Sequence, residues 1–444
     1  MARRLGGGLD APADLVIDGL AIDSRRVRPG QLFAALVAER DGHDFVGAAF
    51  ESGAAAVLVE RSDAPEDGWG GPAVVVASVP EALAELAGMA RDRLDRSDDP
   101  AHVVGVTGSV GKTTTKDLLS NVAATTFATV ASERSFNNEL GVPLTLVNAP
   151  DETEVAVVEM GARGAGHIRL LCEMARPTVG VVTVVEGVHT EVMGSIDQIA
   201  TAKRELVEHL PASGAAVLNA GDPNVAAMAA HTAATVLTFG SRSAEVVATD
   251  VAVDDDLRAR FTLRSPWGSA AVHLGVRGVH NVINALAAAA AGLWLGVPVE
   301  QVAAGLELAP ASPWRMELVR VPGGPVVLND AYNAGPASTA AAVRSLAELA
   351  VPHSGRRIAV LGIMAELGPE GPDEHRRIAE LAGELGIDVL AVGTDLYGVE
   401  RRVGSALEVA AALGELGPAD AVLIKGSRVA GLERAAEVLT RPGR

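Results

Sequence analysis

Lysine is nearly absent from this chain. Its 444 residues hold four lysines, Lys112, Lys116, Lys203 and Lys425, against 33 arginines. Arginine evidently serves wherever a generic cation suffices. A retained lysine therefore suggests a need for a compact point charge, or for an amine that can lose its proton. Cysteine is scarcer still: Cys172 stands alone, which excludes an internal disulfide and suits a reducing cytoplasm. Its apolar setting, Leu170-Leu171-Cys172, reads as core. Aromatics make up 3%, so the core must be built from Val, Leu, Ala and Ile. A net charge of −19 argues against a nucleic-acid partner, whose phosphate backbone is bound by clustered cations. Long apolar runs are missing too. The longest, Ala285 to Leu295, is too short and Ala-rich to span a bilayer and reads as a buried helix. Met1-Ala2-Arg3-Arg4 leads into Gly-rich sequence, not the apolar stretch of a signal peptide. The expectation is a cytoplasmic protein without membrane insertion.

The length suggests about three domains. Residues 1–97 form a first unit, with strand-like runs at Leu15–Ile17, Gln31–Leu36 and Ala55–Val59, closed by the polar segment Arg91–Pro100. Residues 98–312 form a second, with strands at His102–Thr107, Val155–Val158, Val179–Val185 and Ala215–Leu218 and a closing helix over Asn281–Leu295. Residues 313–444 alternate strands (Pro325–Leu328, Ile358–Leu361, Val389–Val392, Ala421–Ile424) with helical runs. This alternation predicts an α/β fold with mostly parallel sheets.

Gly105-Val106-Thr107-Gly108-Ser109-Val110-Gly111-Lys112-Thr113-Thr114 joins a buried strand to a helix. Such a turn cradles phosphate with backbone N–H groups and the helix N-terminus. Gly108, Ser109, Gly111, Lys112, Thr113 and Thr114 are the candidate nucleotide contacts, with Lys112 on the β/γ-phosphates and Thr113 on Mg²⁺. Val106 stands where the strict phosphate-loop motif has glycine, so the spacing is a variant one.

This loop, together with segments downstream and upstream of it, resembles the Mur ligases, ATP-dependent amide-bond ligases of bacterial cell-wall synthesis. The resemblance runs through nearly the whole chain. It implies a small N-terminal α/β domain for a uridine nucleotide substrate (1–97), a central P-loop NTPase-like ATP domain (98–312) and a C-terminal Rossmann-like domain for the amino substrate (313–444). Asp23-Ser24-Arg25-Arg26-Val27 and Asp41-Gly42-His43-Asp44-Phe45 are similar to the N-terminal signatures, making Ser24, Arg25 and His43 substrate contacts. As bare sequence, Asp-Ser-Arg reads more readily as a surface turn. Phe136-Asn137-Asn138-Glu139-Leu140-Gly141-Val142-Pro143-Leu144 matches a segment near the nucleotide–substrate junction, which adds Asn137 and Asn138.

For the metal, the resemblance implies Thr113 and Glu159 on one Mg²⁺ and His189 on a second, with Lys203 as the carbamylated (N6-carboxylated) lysine. Lysine suits that last role because a neutral amine adds CO₂ to become an oxygen-donating anion, which arginine cannot do. Gly278-Val279-His280-Asn281-Val282-Ile283-Asn284-Ala285 matches the family pattern and makes Asn281 and Asn284 adenine contacts. Their spacing puts both on one helix face, although Asn281 could simply be a helix N-cap. In the third unit, Arg315, Asp330 and Asn333 match nucleotide contacts, and Lys425 and Ser427 match a loop facing the amino substrate. Departures from the pattern are Val184 for Asn, Trp314 for Gly, Gly335 for Asn and Ile363 for Asp.

The implied reaction transfers the γ-phosphoryl of ATP to a carboxylate. The acyl phosphate is then aminolysed, with Lys112, Glu159, His189, Lys203 and Arg315 as the catalytic set. The details most resemble the branch of the family that joins D-alanyl-D-alanine to UDP-N-acetylmuramoyl-tripeptide. The expected protein is a monomer using ATP and two Mg²⁺. Two other readings stay open: a ligase for a different amino acid or acidic acceptor, and a nucleotide-binding regulator that has lost catalysis.

Overall fold

The computed structural model describes residues 5, 8–10, 15–60, 68–95, 100–187, 193–309, 312–352 and 354–441. The first sheet runs in the order Gly8–Asp10, Ala73–Val76, Ala56–Glu60, Leu32–Ala34, Leu20–Ala21, and only its first strand is antiparallel. The run Leu15–Ile17 forms no strand. Leu15 and Ile17 pack on the core while Val16 faces solvent, but the edge of the sheet goes to Leu20–Ala21. Apolar alternation alone does not secure a pairing partner.

The central sheet is wholly parallel, ordered Thr235–Phe239, Ala215–Asn219, Val179–Val182, His102–Thr107, Val155–Glu159, Thr129–Ala131. The chain winds outward to either side of His102–Thr107, so a crevice opens at that strand's carboxyl end. Open α/β sheets bind ligands at such a switch point. Helix Lys112–Ala124 comes directly after this strand and buries Leu118, Leu119 and Val122. Each such side chain contributes about 1.5–3 kcal/mol by leaving water. Helix Asn281–Trp294 packs against it with Gly292 set on Val122, where a Cβ would stand 2.5 Å from Val122 Cγ1, so the two helices approach closely.

Between these helices in chain order comes a three-stranded antiparallel sheet, Val247–Val253, Arg258–Ser265 and Gly268–Arg277. Ala259, Phe261 and Leu263 point inward and Arg258, Arg260 and Thr262 outward, a period of two that was there to be read.

The third sheet is ordered Glu317–Arg320, Val326–Asp330, Ala421–Lys425, Arg357–Leu361, Asp388–Val392, Arg402–Val403, with only the first strand antiparallel. Leu328, Ala359 and Leu361 enter one apolar cluster and Val327, Ile358 and Val360 another. Both faces of this sheet are therefore covered, which explains its nearly continuous apolar strands. The expected α/β architecture of three mostly parallel sheets is borne out.

Candidate active site

The turn after His102–Thr107 can only be made by glycine at two positions. Gly108 has φ +146 and Gly111 φ +86; a Cβ would stand 1.9 Å from Thr183 Oγ1 at the first and 2.2 Å from Asn284 Oδ1 at the second. Lys112 curls back over the loop, donating to the Gly108 and Ser109 carbonyls at 2.8 and 3.0 Å. Burial pushes its ammonium below the usual lysine range; Glu159 opposes that and Arg315 adds to it. Ser109 is tied to the next strand's end: its N–H donates to the Val184 carbonyl at 2.7 Å and its Oγ to the Glu186 carbonyl at 3.0 Å.

Glu159 ends the strand beside this loop and is 1% exposed. Thr113 Oγ1 donates to its Oε2 at 2.7 Å and Asn137 Nδ2 to its Oε1 at 2.9 Å. A buried carboxylate hydrogen-bonded only to neutral donors is poorly compensated, and a hard cation fits it. Lys203, on helix Ile196–Glu208, is 4% exposed and makes no hydrogen bond to a described residue. Burial, then repulsion from Lys112, hold its amine well below the usual lysine range, toward the neutral form that reacts with CO₂. Among the described residues no three His, Cys, Asp or Glu side chains gather as a ready metal cage. Phosphate oxygens would complete the shell, as is usual for Mg²⁺. His189 lies outside the described residues.

The facing walls close a cavity of about 640 Å³ lined by Lys112, Glu159, Asn281, Asn284, Arg315 and Asp330 among others. Ser109, Gly111, Thr113, Thr114, Asn137, Asn333, Lys425 and Ser427 line it too. Asn281 is no side-chain N-cap. Its Nδ2 donates to the Arg277 carbonyl at 2.7 Å, and its Oδ1 accepts from Asn284 Nδ2 at 2.8 Å. Arg315 stacks over the Tyr332 ring at 4.2 Å, and its buried Nε has no hydrogen-bond partner among the described residues. Lys425, 3% exposed, pairs with Asp330 Oδ2 and donates to the Asn333 carbonyl at 2.9 Å. Ser427 Oγ accepts from the Ala365 N–H at 2.9 Å and donates to the Ala334 carbonyl at 3.2 Å. Both are engaged within the wall that they form.

A second cavity, about 980 Å³, opens between the first sheet and the central one and is lined by Ser24, Arg25, Arg26, Phe33, Glu133 and Phe136 among others. Arg25 is held to Asp23 by two hydrogen bonds at 2.9 and 2.7 Å, and Arg26 crosses to Glu133 at 2.7 Å. His43 is not in the lining. It meets Asp41 at 2.6 Å through Nδ1, accepts the Glu60 N–H at 3.2 Å through Nε2 and packs on Trp69. Asn138 lines neither cavity; its Oδ1 accepts from the Leu140 and Gly141 N–H groups at 3.3 and 3.0 Å where helix Gly141–Val147 begins. The segment 132–137 is a shared wall: Glu133 and Phe136 face one cavity, Ser135 and Asn137 the other.

Three family models cover most of the chain. The Mur ligase middle domain matches residues 106–292, the Mur ligase, glutamate ligase domain 314–428, and the Mur ligase family, catalytic domain 16–91. The UDP-N-acetylmuramoyl-tripeptide--D-alanyl-D-alanine ligase of Mycobacterium tuberculosis (strain ATCC 25618 / H37Rv) is 40% identical over 97% of this chain and 93% of its own. The Escherichia coli (strain K12) protein of that name is 34% identical over 97% and 95%. The chain belongs to the Mur ligase family. Among solved structures, MurF from Acinetobacter baumannii matches with TM-score 0.85 at 29% identity, covering 99% of this chain and 98% of that one. The MurF ligase from Thermotoga maritima in complex with ADP matches with TM-score 0.80 at 27% identity, covering 97% and 98%.

Several features of this Mur ligase's cavity were not singled out from sequence. His280 lines it with a buried Nδ1 that has no hydrogen-bond partner among the described residues, and burial pushes its imidazole toward neutrality. Tyr332 links Arg315 to Ser135 Oγ across the cavity. Both belong to motifs that carry the family resemblance, beside residues whose chemistry was easier to read. Three of the four departures have local explanations, and nothing in the structure explains Ile363. Val184 acts through its carbonyl, which needs no particular side chain. Trp314 stands where glycine is usual and keeps the left-handed backbone glycine would adopt, φ 60. Arg428 stacks on its ring at 4.6 Å. At Gly335, Ser338 takes the capping role, its Oγ accepting from the Gly335 N–H at 3.1 Å.

Proposed function

We propose that this Mur ligase joins D-alanyl-D-alanine to UDP-N-acetylmuramoyl-tripeptide with ATP cleaved to ADP and phosphate. The names of relatives aligned over nearly the full chain support it. The observation that carries the reading is Glu159, a buried carboxylate hydrogen-bonded by Thr113 and Asn137 beside Lys112. One of those donors lies on the phosphate-loop helix and the other on the wall between the two cavities.

In the proposed reaction a carboxylate oxygen of the tripeptide attacks the γ-phosphorus, and the bond to the β-phosphate oxygen breaks with its electron pair leaving on ADP. The amine of D-alanyl-D-alanine then attacks the acyl carbon. Phosphate departs and the new amide nitrogen loses its proton. Lys112 and Arg315 neutralise the transferring phosphoryl group, and the loop N–H groups orient it. Thr113 and Glu159 would hold one Mg²⁺, and His189 with carbamylated Lys203 a second; such ions screen phosphate charge. Asn281 and Asn284 serve the adenine, and Asp330 and Asn333 the ribose side. Ser24 and Arg25 serve the uridine nucleotide. The reading divides the chain at 97/98 and 312/313 and takes the enzyme as a cytoplasmic monomer. No helix among the described residues is long and apolar enough to cross a membrane.

The test is ADP release with UDP-muramoyl-tripeptide and ATP, with and without D-alanyl-D-alanine. Turnover that requires the dipeptide is expected. Turnover with another amino acid instead assigns a different substrate. ATP binding without phosphate release under any pairing would make the chain a silent nucleotide binder.

A further inference from the structure

Of the four lysines, three fall within the site just described and Lys116 does not. It lies one turn into the phosphate-loop helix, 2% exposed, with Asp117 beside it at the same exposure. Neighbours in a helix do not ordinarily face one another. Here the long lysine stem bends so that Nζ reaches Asp117 Oδ1 at 2.6 Å. Its other two protons go to main-chain carbonyls, Ser132 at 2.7 Å and Arg134 at 3.0 Å. Arg134 has φ 51, a left-handed conformation costly for a residue with a side chain. Asp117 turns its second oxygen the opposite way, accepting the Ser312 N–H at 3.1 Å.

The three groups so held are unrelated in sequence but belong to one site. Ser132 and Arg134 open the wall between the cavities, where Glu133 and Phe136 face one side and Ser135 and Asn137 the other. Ser312 lies three residues before Arg315, on the stretch of chain leading into the third sheet. A guanidinium could not replace the ammonium, because its planar fork cannot direct three short bonds at tetrahedral angles from one nitrogen.

We propose that Lys116 and Asp117 are positioning residues. They fasten the partition beside the acceptor carboxylate, and the approach to Arg315, to the helix that holds the phosphates. The proposal rests on the ligase reading above. It concerns alignment of two substrates and not affinity for ATP.

The experiment compares K116M, D117N and the double variant K116M/D117N with the wild-type full chain. Both singles leave one buried charge without its partner, so both lose thermal stability. The double variant carries no buried charge and should regain much of it, as replaced buried pairs do. If the pair positions substrates, kcat in the double variant stays at least tenfold below wild type, KM for the muramoyl substrate rises and KM for ATP moves less than threefold. Hydrogen exchange should rise over 130–138 and 312–318 and not across the central sheet. A double variant with wild-type kcat and wild-type exchange in those segments would overturn the proposal, as would a KM for ATP that worsens in step with kcat. Failure of the wild type itself to form the amide would count against the ligase reading alone, since the exchange comparison needs no substrate.

Discussion

Thr113 Oγ1 donates to Glu159 Oε2 across 2.7 Å, joining the first turn of the phosphate-loop helix to the end of the neighbouring strand. The contact brings a hydroxyl and a carboxylate, both suited to a hard cation, to the floor of the nucleotide cavity. The Glu159→Gln variant keeps the shape and can still hydrogen-bond, so its melting temperature should stay within a few degrees of wild type. Turnover should fall by about 10²-fold or more, because the negative charge is what the proposed Mg²⁺ would require. A variant with normal turnover at millimolar magnesium would remove Glu159 from the metal site.

Lys203 is buried near Lys112, held well below the ordinary lysine range by burial first and that neighbouring charge second. Its proposed role is as a carbamate, an anion. Lys203→Ala should therefore lose about 10²-fold or more in kcat, and added short carboxylic acids should restore part of it by supplying an oxygen anion. Restoration by alkylamines instead would mean that the cation, not the carbamate, is the working form.

Lys425 and Asp330 form a buried ion pair between adjacent parallel strands of the third sheet. Removing one partner strands the other charge, so Lys425→Met should destabilise the third domain by about 3–5 kcal/mol, read from denaturant unfolding. The double variant with Asp330→Asn should recover much of that loss. Activity should remain impaired in both, because Lys425 and Asp330 both line the cavity that Arg315 enters.

His375 supplies a pH dependence. It is fully buried, accepts the Met364 N–H at 2.9 Å through Nε2 and contacts the Gly371 carbonyl at 2.6 Å through Nδ1, which fixes the neutral tautomer. Burial pushes its folded-state pKa below the ordinary histidine value, while the Gly371 contact and Glu374 oppose that. A folded pKa below the unfolded one means stability present above about pH 6.5 and lost as pH falls below it. The stability gap between wild type and His375→Gln should therefore narrow as pH falls from about 7.5 to about 5. A gap unchanged with pH would show that His375 does not titrate in this way.

Legibility in the sequence tracked the range of the physics involved. Gly108, Gly111 and Lys112 could be read directly, since a turn of that shape excludes side chains and phosphate demands a cation. Parallel strands announced themselves as apolar runs, and the period-two strands between Val247 and Arg277 were overlooked. Side-chain direction was the larger loss. His43 turns to Asp41, Glu60 and Trp69, and Asn138 to the start of a helix, through neighbours that a motif does not specify. Lys116 was visible as one of four lysines, but its partners at Ser132 and Arg134, and Asp117's partner at Ser312, become neighbours only in the fold.

The acyl phosphate can be tested by tracking one oxygen. With UDP-muramoyl-tripeptide labelled with heavy oxygen in its terminal carboxylate, attack on the γ-phosphorus makes a labelled oxygen the bridge of the acyl phosphate. Aminolysis by D-alanyl-D-alanine then expels that oxygen with phosphorus. Mass spectrometry of the released phosphate should find one heavy oxygen per amide formed. Amide formation with unlabelled phosphate would contradict carboxylate phosphorylation as the step that ATP drives.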